Sequence, residues 1–222
     1  MKSIPMDQLD EYEQGENVRK WLRKNGSSLI TGIALGLACV FAWNWWQSHT
    51  AKHKEEAATQ YASFLEAIDA KDAAKVKVFA NVLADDYADT PYADLAVLRN
   101  SAFLYGIGKT DEALQLLKAE APKIKEPELA EIFKLRITRL LLIAGKTEEA
   151  RKQIDTVAHP IFPTIADELR GDIAVASGNR EDARKYFLAA LTNLDQTAPT
   201  RRLLEMKLIN AGGLPPLAKP EA

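Results

Sequence analysis

The chain has 222 residues and a formal net charge of −2, so it carries no excess of positive charge that would indicate a nucleic-acid partner. Its one cysteine, Cys39, excludes an intramolecular disulfide, and packing alone must hold the fold. After an N-terminal tail and one apolar segment, about 170 residues remain, which is enough for a single domain with a sizeable core.

The first 24 residues form an acidic tail followed by a basic collar. Residues 1–18 are polar and acidic and contain Pro5 and Gly15, so we expect a short, mostly loose tail that can turn helical just before the apolar segment. The collar contains four basic residues: Arg19, Lys20, Arg23 and Lys24.

A charge-free segment follows over residues 25–51. As a helix, its part from Ser28 to Trp46 would be about 28 Å long, close to the hydrocarbon core of about 30 Å. Indole rings favour the membrane–water interface, and a helix satisfies its own backbone hydrogen bonds in lipid. Three indoles lie at the end of the segment: Trp43, Trp45 and Trp46. The sequence therefore predicts a transmembrane helix over residues 25–48.

Three other interpretations of this segment fit less well. A buried core helix rarely runs this long without a charge. A cleavable signal peptide would end in a small-x-small cleavage site, whereas bulky tryptophans follow here. A lipoprotein signal would use Cys39, but Gly36 stands three positions before it in place of the usual leucine, and the apolar run continues past the cysteine.

The basic residues around the segment predict its orientation. Four lie in the collar before it, whereas only Lys52 and Lys54 follow closely, beside Glu55 and Glu56. Since cytoplasmic flanks of membrane helices carry the excess of Lys and Arg, the N-terminus should be cytoplasmic. The chain after about residue 50 should lie across the membrane.

Apolar residues recur at helical spacing through the rest of the chain. Residues 52–69 and 72–87 each place them on one face, and the first of these helices either continues from the membrane helix or follows a short kink. No segment alternates with period two over a useful length, so we predict an all-α fold without a sheet.

A repeat then begins, in which a glycine is followed five residues later by an alanine. The three copies are Gly108–Ala113, Gly145–Ala150 and Gly178–Ala183, and their alanines are 37 and then 33 residues apart. Each glycine can end one helix in the left-handed conformation, and the acidic residues after it suit the start of the next helix. Thr110 and Thr147 are predicted to cap these second helices.

Small residues recur where two antiparallel helices would cross closely. Six positions are predicted to pack in this way: Ser101, Ala113, Thr138, Ala150, Gly171 and Ala183. Larger residues four positions after each alanine, namely Leu117, Ile154 and Phe187, should fill the layer between neighbouring pairs. One pair cannot bury its apolar face alone, so we expect the pairs to stack.

Prolines separate the pairs. Pro91, Pro127 and Pro163 fall near the starts of successive first helices. Pro199 is predicted to open a last helix over residues 199–211 that covers the end of the stack. Residues 212–222 should form an extended, mobile tail.

The hairpins resemble tetratricopeptide repeats (TPRs), although the usual Trp and Tyr of the first helix are absent. The whole layout resembles the YfgM-type family of ancillary SecYEG translocon subunits. Four stretches carry this resemblance: Val18-Arg19-Lys20-Trp21-Leu22-Arg23-Lys24-Asn25-Gly26, Trp43-Asn44-Trp45-Trp46, Ala166-Asp167-Glu168-Leu169-Arg170-Gly171-Asp172 and Met206-Lys207-Leu208.

The resemblance implies a transmembrane helix followed by a TPR-like helical-hairpin solenoid over residues 52–211. It implies a Gram-negative inner-membrane protein with a cytoplasmic N-terminus and a periplasmic domain. The implied partners are the SecYEG translocon, a membrane-anchored periplasmic folding factor of the PpiD type, and translocating client proteins. The implied role is to assist handover of emerging proteins to periplasmic chaperones.

Two surfaces are candidates for partner contact. Ser28, Gly32 and Gly36 share one face of the membrane helix, and small residues there permit close approach of another helix. Glycine is also common in membrane helices without any partner. On the first helices, which line the concave side of such stacks, the candidates are Tyr105, Arg136, Arg139 and Arg170. Solvation of a helix face would equally explain the arginines.

No catalytic or cofactor-binding pattern stands out. Gly108-Lys109-Thr110 and Gly145-Lys146-Thr147 look like the end of a P-loop, but Phe103 and Leu140 replace the other glycine. His49 and His53 could share a helix face but lack a third metal ligand. We therefore expect a binding protein rather than an enzyme. The alternatives are a TPR adaptor of another envelope complex and an enzyme built on a TPR scaffold.

Overall fold

The computed structural model describes residues 6–214. Within that range the chain forms nine α-helices and a short 3-10 turn at Ala121–Lys123, with no β-strand, which confirms the all-α fold class. The helices are α1 (Met6–Asp69), α2 (Ala73–Asp86), α3 (Pro91–Gly106), α4 (Thr110–Glu120), α5 (Pro127–Ile143), α6 (Thr147–Asp155), α7 (Pro163–Ala176), α8 (Arg180–Thr192) and α9 (Arg201–Asn210).

Helix α1 begins at Met6, so the expectation of a loose tail was wrong for residues 6–18. A single glycine such as Gly15 costs a helix only about 1 kcal/mol, and Leu, Glu and Gln elsewhere in the segment favour the helix. Pro5 and the rest of the first five residues lie outside the described part of the chain.

The predicted membrane helix lies within α1. From Arg19 onward this helix is long and apolar enough to cross a membrane, with a mean hydropathy of 1.7 in its most apolar window. None of that window is buried by protein. Large apolar side chains such as Ile33, Leu35 and Phe41 are exposed, and an exposed apolar surface of this kind is typical of a membrane or protein contact.

The chain divides into two compact units, Met1–Glu56 and Ala57–Ala222. In the second unit, the end of α1 forms a hairpin with α2 and packs on α3. Its apolar cluster consists of Phe64, Ala67, Val76, Leu83, Ala96 and Phe103. This hairpin comes before the three that the repeat predicted.

Each predicted glycine ends a first helix in the left-handed conformation. The φ angles of Gly108, Gly145 and Gly178 are +82°, +72° and +76°. After α3, the N–H of Gly108 donates to the carbonyl of Tyr105 at 3.0 Å, and the N–H of Lys109 donates to Leu104 at 2.8 Å. These two bonds satisfy carbonyls that the helix end leaves free.

The α1–α2 turn has the same hydrogen-bond pattern without a glycine. Lys71 occupies the left-handed position with φ +54°, and the N–H of Asp72 donates to the carbonyl of Ala67 at 3.0 Å. Glycine also ends α9, where Gly212 has φ +85° and the N–H of Gly213 donates to Leu208 at 2.9 Å. Residues 215–222 of the expected tail lie outside the described residues.

The prediction that Thr110 and Thr147 cap helices was wrong. Both are the first helical residues of α4 and α6, and the cap positions fall on Lys109 and Lys146, which form no side-chain cap. The reason is geometric, because only one residue separates each turn glycine from the next helix. Asn179 occupies the same position before α8 and does cap, accepting from the N–H of Asp182 at 3.1 Å.

Pro91, Pro127 and Pro163 each lie in the first turn of α3, α5 and α7, as predicted. Helix α9 begins at Arg201 with Thr200 as its N-cap residue, so Pro199 lies in the preceding turn instead of opening the helix.

The six predicted close-packing positions are all buried. Ala113, Ala150 and Ala183 have no exposed surface. The hydroxyl of Thr138 donates to the carbonyl of Lys134 at 2.8 Å, so that polar group is satisfied within α5. At Gly171 the backbone of α7 lies directly against the ring of Phe187 on α8.

Candidate partner-binding site

Tyr105, Arg136 and Arg139 line one pocket between α3 and α5, with a volume of about 170 Å³. The rest of the lining is mostly apolar: Ser101, Ala102, Leu117, Leu140 and Ile143. Tyr105 lies in the last turn of α3 with 45% of its surface exposed, and Ile143 ends α5 with 48% exposed. The structure therefore brings together three of the four residues predicted for partner contact, beside an open apolar rim.

Arg136 reaches from α5 to α3, where its Nη1 donates to the carbonyl of Leu98 at 3.4 Å. Burial lowers the pKa of this guanidinium, and the positive charges of Arg139 and Arg99 lower it further. Arginine nevertheless stays protonated at neutral pH. The pocket is thus lined by a partly desolvated positive charge with like charges beside it.

Arg139 lies closer to solvent than Arg136. Its Nη2 is 4.0 Å from the Oε2 of Glu168 on α7, and its side chain is half exposed. Such a long, exposed contact contributes little to stability. Glu168 has a nearer partner, because the Nζ of Lys207 on α9 donates to its Oε1 at 2.7 Å.

Lys207 also donates to the Oδ2 of Asp172 at 2.7 Å, so one lysine joins α9 to two carboxylates of α7. The pKa of Asp172 is raised by burial, although the hydrogen bond from Lys207 opposes that rise. The acidic side chains of α7 are therefore largely neutralised from within the domain.

Arg170 does not belong to this pocket. Its Nη1 donates to Asp167 at 2.9 Å and its Nη2 to the carbonyl of Val157 at 2.7 Å. These bonds fasten α7 to the segment after α6. Arg170 lines a separate, more polar pocket of about 290 Å³ together with Arg151 and Tyr186.

On the membrane helix, Ser28, Gly32 and Gly36 are exposed. A Cβ atom added at either glycine would meet nothing within 4 Å, so this face is open to an approaching helix. Further along, the rings of Trp43 and Trp46 lie 5.6 Å apart, and the ring of His49 stacks on Trp45.

In the two Gly-Lys-Thr segments the Gly and Lys lie between helices and the Thr begins the next helix, while Phe103 and Leu140 are buried within α3 and α5. The strand that a P-loop needs is not formed there. Among the residues that the structure describes, no group of three or more His, Cys, Asp or Glu side chains could hold a metal ion.

The tetratricopeptide repeat-like domain family matches residues 19–213 of the chain. The chain belongs to this family. The matched residues include both the membrane helix and the helical hairpins, so the family model covers both parts of the chain.

Curated relatives from several bacteria carry the name "Ancillary SecYEG translocon subunit". The protein from Haemophilus influenzae is 25% identical over 91% of this chain and 98% of its own length. The proteins from Escherichia coli K12 and Neisseria gonorrhoeae are 22% and 24% identical, each over 90% of this chain and 96% of its own length. These relatives confirm the resemblance drawn from the sequence motifs.

In this tetratricopeptide repeat-like domain, the sequence patterns did not predict the structural role of Glu131. Glu131 on α5 is 7% exposed, and its carboxylate accepts from the N–H groups of Ile161 and Phe162 at 2.8 and 2.9 Å. It thereby fixes the loop that precedes α7. The available signal was its position four residues before Leu135, on a face that is otherwise apolar.

Proposed function

We propose that this protein is an ancillary subunit of the SecYEG translocon in the bacterial inner membrane. The observation that carries the proposal is the match to proteins of that name over about nine-tenths of the chain and nearly their whole length. An apolar helix followed by a helical-repeat domain supports it, because this layout suits a membrane-anchored binding protein.

In this proposal the N-terminus is cytoplasmic and the repeat domain is periplasmic. The basic collar before the membrane helix supports that orientation. The domain would assist handover of translocated proteins to periplasmic chaperones, in contact with a PpiD-like folding factor. Its role is to hold and present other proteins, without catalysis.

The membrane anchor gives this mechanism its strength. Once the membrane helix holds the protein at the translocon, the repeat domain meets a translocon-bound partner at a raised effective concentration. Weak contacts by the repeat domain then suffice. A domain held beside the translocon exit would meet emerging chains before they diffuse away.

Copurification from native membranes tests the proposal. The full-length protein, tagged and expressed near its natural level, should recover SecYEG, and a photocrosslinker placed in the membrane helix should link it to a translocon subunit. A different single-span inner-membrane protein at equal expression is the control. Recovery of another envelope assembly complex in place of SecYEG would reject this function and favour a general adaptor role.

A further inference from the structure

The pocket between α3 and α5 combines an apolar floor with positive charge. Ala102, Leu140 and Ile143 supply aliphatic surface, and the ring of Tyr105 lies at the rim. The volume of about 170 Å³ is below the 300–1,000 Å³ of typical small-molecule sites. The pocket therefore suits one aliphatic side chain of a larger partner better than a separate small ligand.

Arg136, one of the two arginines of this pocket, lacks a matching carboxylate among the described residues. In the described part of the chain, no carboxylate lies within 4.0 Å of Arg136, whose only hydrogen-bond acceptor there is the carbonyl of Leu98 at 3.4 Å. Arg99 and Arg139 add like charge. Buried charges in proteins are normally paired, so this cluster is electrostatically incomplete by itself.

The domain's own acidic residues do not supply the missing charge. Glu168 and Asp172 lie on the neighbouring helix α7, and Lys207 engages both at 2.7 Å. The contact from Glu168 to Arg139 is stretched to 4.0 Å. The neighbouring helix therefore gives Arg136 no carboxylate partner and Arg139 one long contact, which leaves both able to pair with an external anion.

We propose that this pocket binds a segment of a partner protein that carries an aliphatic side chain next to a carboxylate. The aliphatic side chain enters the pocket beside Leu140 and Ile143, and the carboxylate pairs with Arg136 and Arg139. Charge complementarity selects the acidic group, and the adjacent apolar pocket selects a protein segment over a free anion. This inference rests on the proposed function and names the chemistry that the repeat domain would recognise.

Binding of defined peptides to the full-length protein in detergent micelles tests the inference. The probe is a fluorescein-labelled, amidated Gly-Ser-Leu-Glu-Ser-Gly peptide, compared with one peptide in which Gln replaces Glu and another in which Ser replaces Leu. Each replacement should weaken binding about tenfold, a difference of about 1.4 kcal/mol. Equal affinity for the Glu and Gln peptides, or no detectable binding of any peptide, overturns the proposal.

Protein variants locate the site. Arg136→Met should remove the preference for Glu over Gln while the preference for Leu over Ser remains. Arg151→Gln, in the other pocket, should change neither preference. Retention of the Glu preference by Arg136→Met overturns the assignment. If that variant does not fold, as judged by its helical circular dichroism and melting, Arg139→Gln provides the same comparison.

Copurification separates this inference from the proposed function. If the natural protein binds the Glu and Gln peptides equally while it still recovers SecYEG, the pocket assignment alone is overturned, since the function does not require this particular contact. Failure to recover SecYEG would count against the proposed function, whatever the peptide result.

Discussion

Gly171 has no Cβ atom, and the structure leaves no room for one. An added Cβ would lie 2.6 Å from Cδ1 and 2.9 Å from Cζ of the Phe187 ring. That ring is buried in a cluster with Leu204 and Leu208 of α9, so it has little room to move. The small residue in this repeat is needed for direct contact between α7 and α8.

Gly171→Ala should therefore lower the free energy of unfolding by about 1–3 kcal/mol, despite the better helix propensity of alanine. Gly106→Ala in α3 is the matched control, since its Cβ would meet nothing within 4 Å. That control should be neutral or stabilising by up to about 1 kcal/mol. Thermal melts of the full-length variants measure both, and equal melting temperatures would contradict the packing described here. Adding Phe187→Leu should recover part of the loss if the ring is the clash.

Helix α9 is held to the stack by one lysine as well as by apolar packing. Leu204 and Leu208 face α8, while Lys207 pairs with Glu168 and Asp172 of α7 and lies 5.9 Å above the Phe187 ring. Removing the lysine would leave two partly buried carboxylates close together. The attachment of this helix should thus depend on pH when Lys207 is absent.

Lys207→Met keeps most of the packing and should cost about 2 kcal/mol of stability at neutral pH. The pKa of Asp172 is already raised by burial, and loss of the lysine should raise it further. A carboxyl with a raised pKa destabilises the fold at neutral pH, and this cost fades as the pH falls through the raised pKa toward the ordinary value near 4. The deficit relative to the natural protein should therefore narrow on acidification. Urea melts at several pH values measure it, with exposed Lys185→Met as control, and a constant or growing deficit would contradict the role given to Asp172.

The membrane segment of α1 presents a face of small residues that we propose packs on a translocon or partner helix. Gly32→Leu together with Gly36→Leu should weaken copurification of SecYEG, because larger side chains keep the helices apart and remove close packing. Insertion should persist, since both substitutions are apolar. Substitution of Ile33 and Leu37 by Ala, on other positions of the same helix, is the control. Unchanged recovery of SecYEG with the double glycine variant would shift recruitment to the repeat domain.

For the whole molecule, the proposed role depends on the side of the membrane on which the repeat domain lies. Four basic residues precede the apolar segment and two follow it closely, which favours a cytoplasmic N-terminus. A reporter that is active only in the periplasm, fused after Ala222, should be active, and the matching cytoplasmic reporter should be silent. Replacing the four basic collar residues by Gln should reduce the preference for a cytoplasmic N-terminus. The opposite reporter pattern would place the domain in the cytosol and reject the proposed handover role.

Much of the fold follows from local chemistry, which is why the sequence predicted it. The charge-free segment, the left-handed glycines and the helix-starting prolines act within one turn of the chain. The repeat pattern did not predict the α1–α2 hairpin, because Lys71 replaces the glycine and Phe64 replaces the small residue. In this hairpin Val76 takes the position of the repeat alanine and Ala80 that of the large apolar residue. The layer between the helices is therefore filled by side chains of different sizes at these positions.

The sequence by itself determined the all-α class, the membrane helix, the turns of the three repeat hairpins and the buried alanines, since each depends on spacing along one chain. The tertiary structure alone decided which charged residues meet. It placed Arg136 and Arg139 beside Tyr105 at one pocket, joined Arg170 to the carbonyl of Val157, and brought Lys207 to α7. The physical reason is that an ion pair across helices depends on distances between residues far apart in sequence, which no local pattern records.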